Sequence, residues 1–203
     1  MLLTQPNNQM MNRLLAYIAG FALLVGIWHT GHGAYLWGKA ELAQILIAKT
    51  WQQALQTRRY IKPWSWADTW PIAKLSYDGQ DWYVLAGASG EALAFGPAHV
   101  AESALPGSLG NIVLAGHRDT HFDWLKQLQN GDHIQLESLQ GLQTFVVTGA
   151  QIVNADAVDV MANTPWSQLT LITCYPFDDV TSEASQRYVI IAQATSERPS
   201  NSR

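Results

Sequence analysis

The chain has one cysteine, Cys174, in 203 residues. That excludes an intramolecular disulfide, and it argues against a structural zinc site, which needs two or more Cys or His ligands at close spacing. The six histidines, at 29, 32, 99, 117, 121 and 133, show no His-Glu-x-x-His or comparable metal spacing. Charge is also scarce, at 14% of residues. With 48% apolar residues beside so little charge, the bulk of the chain is globular rather than disordered. Basic residues are fewest where a nucleic acid would need them. Residues 63–203 hold six Lys/Arg against fifteen Asp/Glu, the opposite of a phosphate-binding balance. There is no internal repeat and no low-complexity tract.

What is present begins with an apolar run. Leu14 to Trp28, LLAYIAGFALLVGIW, is fifteen residues without a charge, and the uncharged span continues to Gly38. A membrane-crossing helix needs about 20 apolar residues. No small-residue cleavage site follows, so the run predicts an uncleaved signal anchor. Charge does not settle its orientation: Arg13 precedes it, and Lys39 and Lys49 follow it. Tyr35 to Thr57 then predicts a second helix, with Leu36, Ala40, Ala43, Ile47, Trp51 and Ala54 in one apolar stripe. Pro63 ends any helix, which places a boundary near residue 60. The expected divisions are 1–33 (tip and anchor), 34–62 (juxtamembrane helix and linker), 63–196 (globular domain) and 197–203 (tail).

Beyond Pro71 the pattern changes to short strands. WPIAKLSYDGQDWYVL is two apolar runs around Asp78-Gly79, a hairpin signal. Further strands are expected at Asn111–Ala115, His133–Leu136, Thr144–Thr148, Leu169–Thr173 and Tyr188–Ala194. Short helical pieces are expected near Gly96–His99 and Asp123–Leu128. Seven or eight strands without long intervening helices predict a mainly β fold, a closed or nearly closed barrel.

Cys174 ends the β-branched run Thr170–Thr173, and Pro176 stops the strand just after it. A strand end beside a loop is where a scaffold presents a side chain to a cleft. A lone cysteine is more often an inert packing residue. A reactive one needs a partner, because a free thiol is only about 3% thiolate at pH 7. His117, in NIVLAGHRDTHF, also follows an apolar strand, after Ala115-Gly116. Arg187, in QRYVIIAQ, opens another, where an unpaired guanidinium is costly to bury and a polar cleft would suit it. Arg118 is its competitor but points away from His117 in a strand-like segment. His121 reads as an ordinary loop residue.

A TLITC strand end, a His after a strand upstream and an Arg thirteen residues downstream resemble the sortases, membrane-anchored cysteine transpeptidases. The likeness covers roughly residues 70–195. The stretch ALAFGPAHVAESALPGSLGNIVLAGHRDTHF resembles the small-barrel proteobacterial members near class D/E. The resemblance implies His117, Cys174 and Arg187 as the catalytic three. It implies a C-terminal LPxTG-type sorting motif on a membrane-anchored protein substrate, an amine acceptor, and a catalytic domain on the periplasmic face of the inner membrane. Thr173, Ala115 and Gly116 are candidates to line the substrate groove, as are Val158 and Met161 in the connection from Gly149 to Gln168. The same connection could instead cover its own small core. Asp156 and Asp159 are too few for a six- to eight-oxygen calcium site, so no metal or cofactor is expected. Two other readings share the groove: a peptide hydrolase with the same three residues, and a non-catalytic peptide-binding barrel.

Overall fold

The computed structural model describes residues 8–179 and 184–195. The expected tail, 197–203, lies outside the described residues, as do the first seven residues of the expected tip and the Leu36 side chain. Contacts divide the chain into two compact units, Met1–Ala43 and Gln44–Arg203.

Asn8–Thr57 forms one uninterrupted helix, α1, where the sequence suggested two. Gly31, Gly33 and Gly38 do not break it. Each costs about 1 kcal/mol relative to alanine in a helix, too little to outweigh a long run of backbone hydrogen bonds. Along Leu14–Trp28 the large apolar side chains are exposed, including Phe21, Leu24 and Trp28. This helix is long and apolar enough to cross a membrane.

The second unit includes the last turns of α1. Ile47, Trp51 and Ala54 are buried at 1%, 0% and 0% exposure, the inner part of the expected stripe. Trp51 Nε1 donates to Glu137 Oε2 at 3.3 Å, and the Gln44 side-chain amide nitrogen, Nε2, donates to the Phe95 carbonyl at 2.7 Å. By contacts, this compact unit begins at Gln44 and takes in the helix end and the linker as well as the strands. Arg58 takes up positive φ just past the helix end, as a C-terminal cap residue does.

Eight strands close into a barrel in the order β1-β2-β3-β4-β7-β8-β6-β5. They are β1 Pro71–Tyr77, β2 Gln80–Ala86, β3 Ala98–His99, β4 Asn111–Ala115, β5 His133–Ser138, β6 Gly141–Asn154, β7 Gln168–Tyr175 and β8 Gln186–Ala194. The β1–β2 turn is Asp78-Gly79, both at positive φ (48° and 75°), the conformation a tight hairpin requires. Most pairs are antiparallel, but β2–β3 and β4–β7 are parallel. Alternate residues face inward. Ile112, Leu114, Leu169, Leu171, Ile190 and Ala192 belong to the core, together with Phe145 and Leu75.

The helical piece expected near Gly96–His99 is instead the strand β3, and the helix α2 precedes it at Gly90–Phe95. Ser89 starts α2 by accepting from the Ala92 N–H at 3.2 Å. Gly96 ends it against the sheet: a Cβ there would sit 2.6 Å from the Tyr83 carbonyl oxygen. The piece expected at Asp123–Leu128 is a 3-10 turn at Asp123–Gln127.

Candidate active site

Cys174 is the penultimate residue of β7 and lies directly opposite Arg187 in the antiparallel β7–β8 ladder. Opposite residues project from the same face of a sheet. Leu171 and its partner Ile190 face the core, so Cys174 and Arg187, three positions away along each strand, face outward. Cys174 is half-buried.

On the other side of β7 lies β4, in parallel register through Ala115↔Ile172. The pairing extends past the end of β4. The Gly116 N–H donates to the Ile172 carbonyl at 3.1 Å, and the Thr173 hydroxyl donates to the Gly116 carbonyl at 2.7 Å. The same register, continued two residues beyond Ala115↔Ile172, sets His117 level with Cys174. On that register His117, Cys174 and Arg187 stand in one row across three neighbouring segments of this chain. His117 is exposed.

Local sequence holds each member. Gly116 has to be small because Phe122 folds back over it: a Cβ there would meet the Phe122 ring at 2.7 Å. The Phe122 N–H donates to the His117 carbonyl at 2.9 Å and closes the turn. Arg187 Nη1 donates to the carbonyls of Ala184 and Gln186 at 2.7 and 2.9 Å. That orients the guanidinium, and among the described residues no hydrogen bond is recorded for Nε or Nη2. Arg118 is buried and turned away, its Nη2 donating to the Asp179 carbonyl.

The other sequence candidates divide. Thr173 is 2% exposed and serves as the strut to Gly116, not as a groove surface. Gly116 is buried beneath Phe122, whereas Ala115 is half-buried on the outer face. Val158 is 64% exposed, and Met161 is half-buried in a 3-10 turn at Asp159–Met161. Their connection is fastened to the start of β4. Asn111 Nδ2 donates to the carbonyls of Val160 and Ala162, and its N–H donates to Asn163 Oδ1, all at 3.1 Å. Among the described residues no three His, Cys, Asp or Glu side chains gather as a metal site would need.

Two features were not read from the sequence. His121 is half-buried near His117, and burial pushes its pKa below the ordinary value. The positive charge available to His117 pushes it the same way, against a hydrogen bond with the Ala94 backbone. The five-residue turn between these histidines was the available signal. Tyr175, Phe177 and Tyr188 also gather behind the Cys174–Arg187 pair, with Phe177 and Tyr188 edge-on at 5.2 Å. Phe177 and Tyr188 pack against the core, and β7 ends at Tyr175, just before Pro176.

A family profile described as a sortase domain matches residues 74–195. Sortase D of Bacillus subtilis is 34% identical over 108 residues, 53% of this chain and 54% of that protein. The chain therefore spans about half the length of this curated relative. Sortase A from Corynebacterium diphtheriae superposes with a TM-score of 0.57 at 25% identity, over 67% of this chain and 66% of that one. The sortase D5 structure from Clostridium perfringens superposes with a TM-score of 0.62 over 76% of this chain and 99% of that one, and at 18% identity it speaks to the fold alone. A closed eight-stranded barrel, a profile match across most of it and relatives that share the name together show that this chain belongs to the sortase family.

Proposed function

We propose that the protein is a membrane-anchored cysteine transpeptidase, with Cys174 as nucleophile, His117 as proton carrier and Arg187 as oxyanion and substrate ligand. The observation that carries this reading is the single row in which the three residues stand.

The proposed chemistry is acyl transfer in two steps. The Cys174 thiolate adds to the carbonyl carbon of a peptide bond. Negative charge develops on the carbonyl oxygen, where the free N–H groups of the Arg187 fork can meet it. The C–N bond breaks, and the leaving amine takes a proton from His117. A thioester on Cys174 remains. An acceptor amine then adds to the thioester carbonyl and gives its proton to His117. The C–S bond breaks and the thiolate is restored.

The proposed substrate is a protein with a C-terminal sorting motif of the LPxTG type, cut between Thr and Gly. The 155–167 connection, fastened through Asn111, forms one wall of its groove, with Ala115, Val158 and Met161 as contact candidates. The apolar part of α1 serves as a signal anchor in the inner membrane, with the barrel in the periplasm. Anchoring enzyme and substrate in one plane raises their effective concentration. The proposed parts are the anchor within 1–33, the helix and linker 34–62, and the catalytic barrel 63–196.

The test uses the full chain in lipid nanodiscs with a series of sorting peptides and an amine such as triglycine. The expected result is a peptide–Cys174 thioester by mass spectrometry, and an amide product when amine is present. Products containing only water adducts support the hydrolase reading. Binding without any thioester, unchanged in Cys174→Ala, supports the non-catalytic one.

A further inference from the structure

A cavity of about 410 Å³ lies where β2 and β3 end, and none of His117, Cys174 and Arg187 lines it. Its size falls in the range of small-ligand sites, about 300–1,000 Å³. Trp70, Ile72 and Leu105 supply an apolar lining, and Tyr60 adds a second aromatic ring. Three groups on the wall are polar and titratable, Asp68, His99 and the Tyr60 phenol, and among the described residues no Lys or Arg lines it.

His99 is 3% exposed, and its hydrogen bonds fix how it meets the cavity. Nε2 lies 2.9 Å from the Ala104 carbonyl, which can only accept, so Nε2 carries the proton. The Ser103 hydroxyl, 3.1 Å from Nε2, gives its own proton to the Val100 carbonyl at 2.7 Å, consistent with that tautomer. Burial pushes the His99 pKa below its ordinary value, so the ring is neutral at pH 7. A neutral ring protonated on Nε2 keeps Nδ1 as an acceptor. Asp68 is exposed at the rim, and Glu102 is near enough to act on His99. Acceptors, negative charge and aromatic faces in one apolar cavity select a ligand that donates protons and carries positive charge.

We propose that this cavity binds a small amphipathic primary amine, its ammonium donating to His99 Nδ1 near Asp68 and its apolar body lying on Trp70, Ile72 and Leu105. This site is independent of the acyl-transfer reading, since none of its residues belongs to the catalytic row.

The test is calorimetric titration of the full chain in lipid nanodiscs with benzylamine, benzyl alcohol and benzoate, against empty nanodiscs. Benzylamine is expected to bind saturably with one site per chain, benzyl alcohol more weakly, and benzoate not at all. Asp68→Asn, at an exposed position, should weaken benzylamine about two- to fivefold, the scale of an exposed ion pair, and leave benzyl alcohol unchanged. Ala101→Trp, on the exposed turn that lines the cavity, should abolish binding of both. No saturable benzylamine binding, benzoate or alcohol binding equal to the amine's, or binding undiminished by Ala101→Trp would each overturn the proposal.

Discussion

The Thr173 hydroxyl donates to the Gly116 carbonyl at 2.7 Å, across 57 residues of chain. Each partner is the neighbour of a proposed catalytic residue, so this bond fixes the level of His117 against Cys174. Thr173→Val keeps the shape of the side chain and deletes the bond. A buried hydrogen bond of this kind contributes about 0.5–1.5 kcal/mol, and the abandoned carbonyl adds a desolvation cost of about 1–3 kcal/mol. The variant should fold with a lower Tm and lose about 100-fold in kcat, the scale of a positioning error of about 1 Å. Unchanged kcat in a folded Thr173→Val protein would show that the strut does not position the pair.

Arg187 has one fork nitrogen, Nη1, committed to two carbonyls, and in the proposed mechanism the rest of the planar fork meets the substrate. Lysine keeps the charge but not that geometry. Arg187→Lys should reduce kcat/KM by about 100- to 1,000-fold, the usual effect of losing one oxyanion donor. Thioester formation followed by mass spectrometry measures it directly. If lysine sustains full activity, charge alone suffices and the fork has no special part.

Gly116 is required by contact, not by backbone strain. The Phe122 ring is fully buried and cannot retreat freely. Gly116→Ala should cost about 1–3 kcal/mol, as overpacking of a core does. Denaturant unfolding of the full chain gives the number. Gly116→Ala combined with Phe122→Leu should recover part of the loss, which a purely conformational account of Gly116 does not predict.

His99 and His121 both have pKa values pushed down, chiefly by burial. A histidine with a depressed folded pKa binds its proton more readily in the unfolded chain. Its contribution to stability is therefore whole above the ordinary value of about 6.5 and falls as pH drops through that value toward the folded one. The Tm should decline between pH 7.5 and 5.5, and His121→Gln should flatten that decline. Parallel Tm profiles for the two proteins would remove His121 from the account.

Trp51 is fully buried although it lies on α1, outside the barrel strands. Trp51→Ala should lower stability by about 3–5 kcal/mol, as large aromatic truncations in cores do. Limited proteolysis should then cut near Thr57 well before the barrel itself unfolds. A Tm within one degree of the parent's would mean that the helix end is not part of the cooperative unit.

The strands were legible where alternation and turn chemistry agreed. Asn111–Ala115 is predicted to the residue, and Asp78-Gly79 marks the hairpin because only a few residue types accept positive φ. Two-residue β3 was not legible, since Ala98-His99 is too short to show any period. The continuity of α1 was hidden by glycines that weaken a helix without ending one. At the site, residue types marked His117, Cys174 and Arg187. Their common row depends on the parallel β4–β7 pairing, which no local pattern encodes. The inward turn of Thr173 follows from alternation once Cys174 is taken to face out, yet its bond to Gly116 depends on a register set far away.

The parallel pairing of β4 with β7 also constrains the timing of assembly. Sequence-distant contacts form late and slowly, because the intervening loop must close first. β4 can pair with β3 at once but cannot gain its second neighbour until β7 has been synthesised, and Cys174 does not meet Arg187 until β8 follows. A nascent chain that has exposed His117 alone therefore lacks the platform on which its thiol could be activated. On the proposed reading, the row of His117, Cys174 and Arg187 is complete only when the last strand seals the barrel.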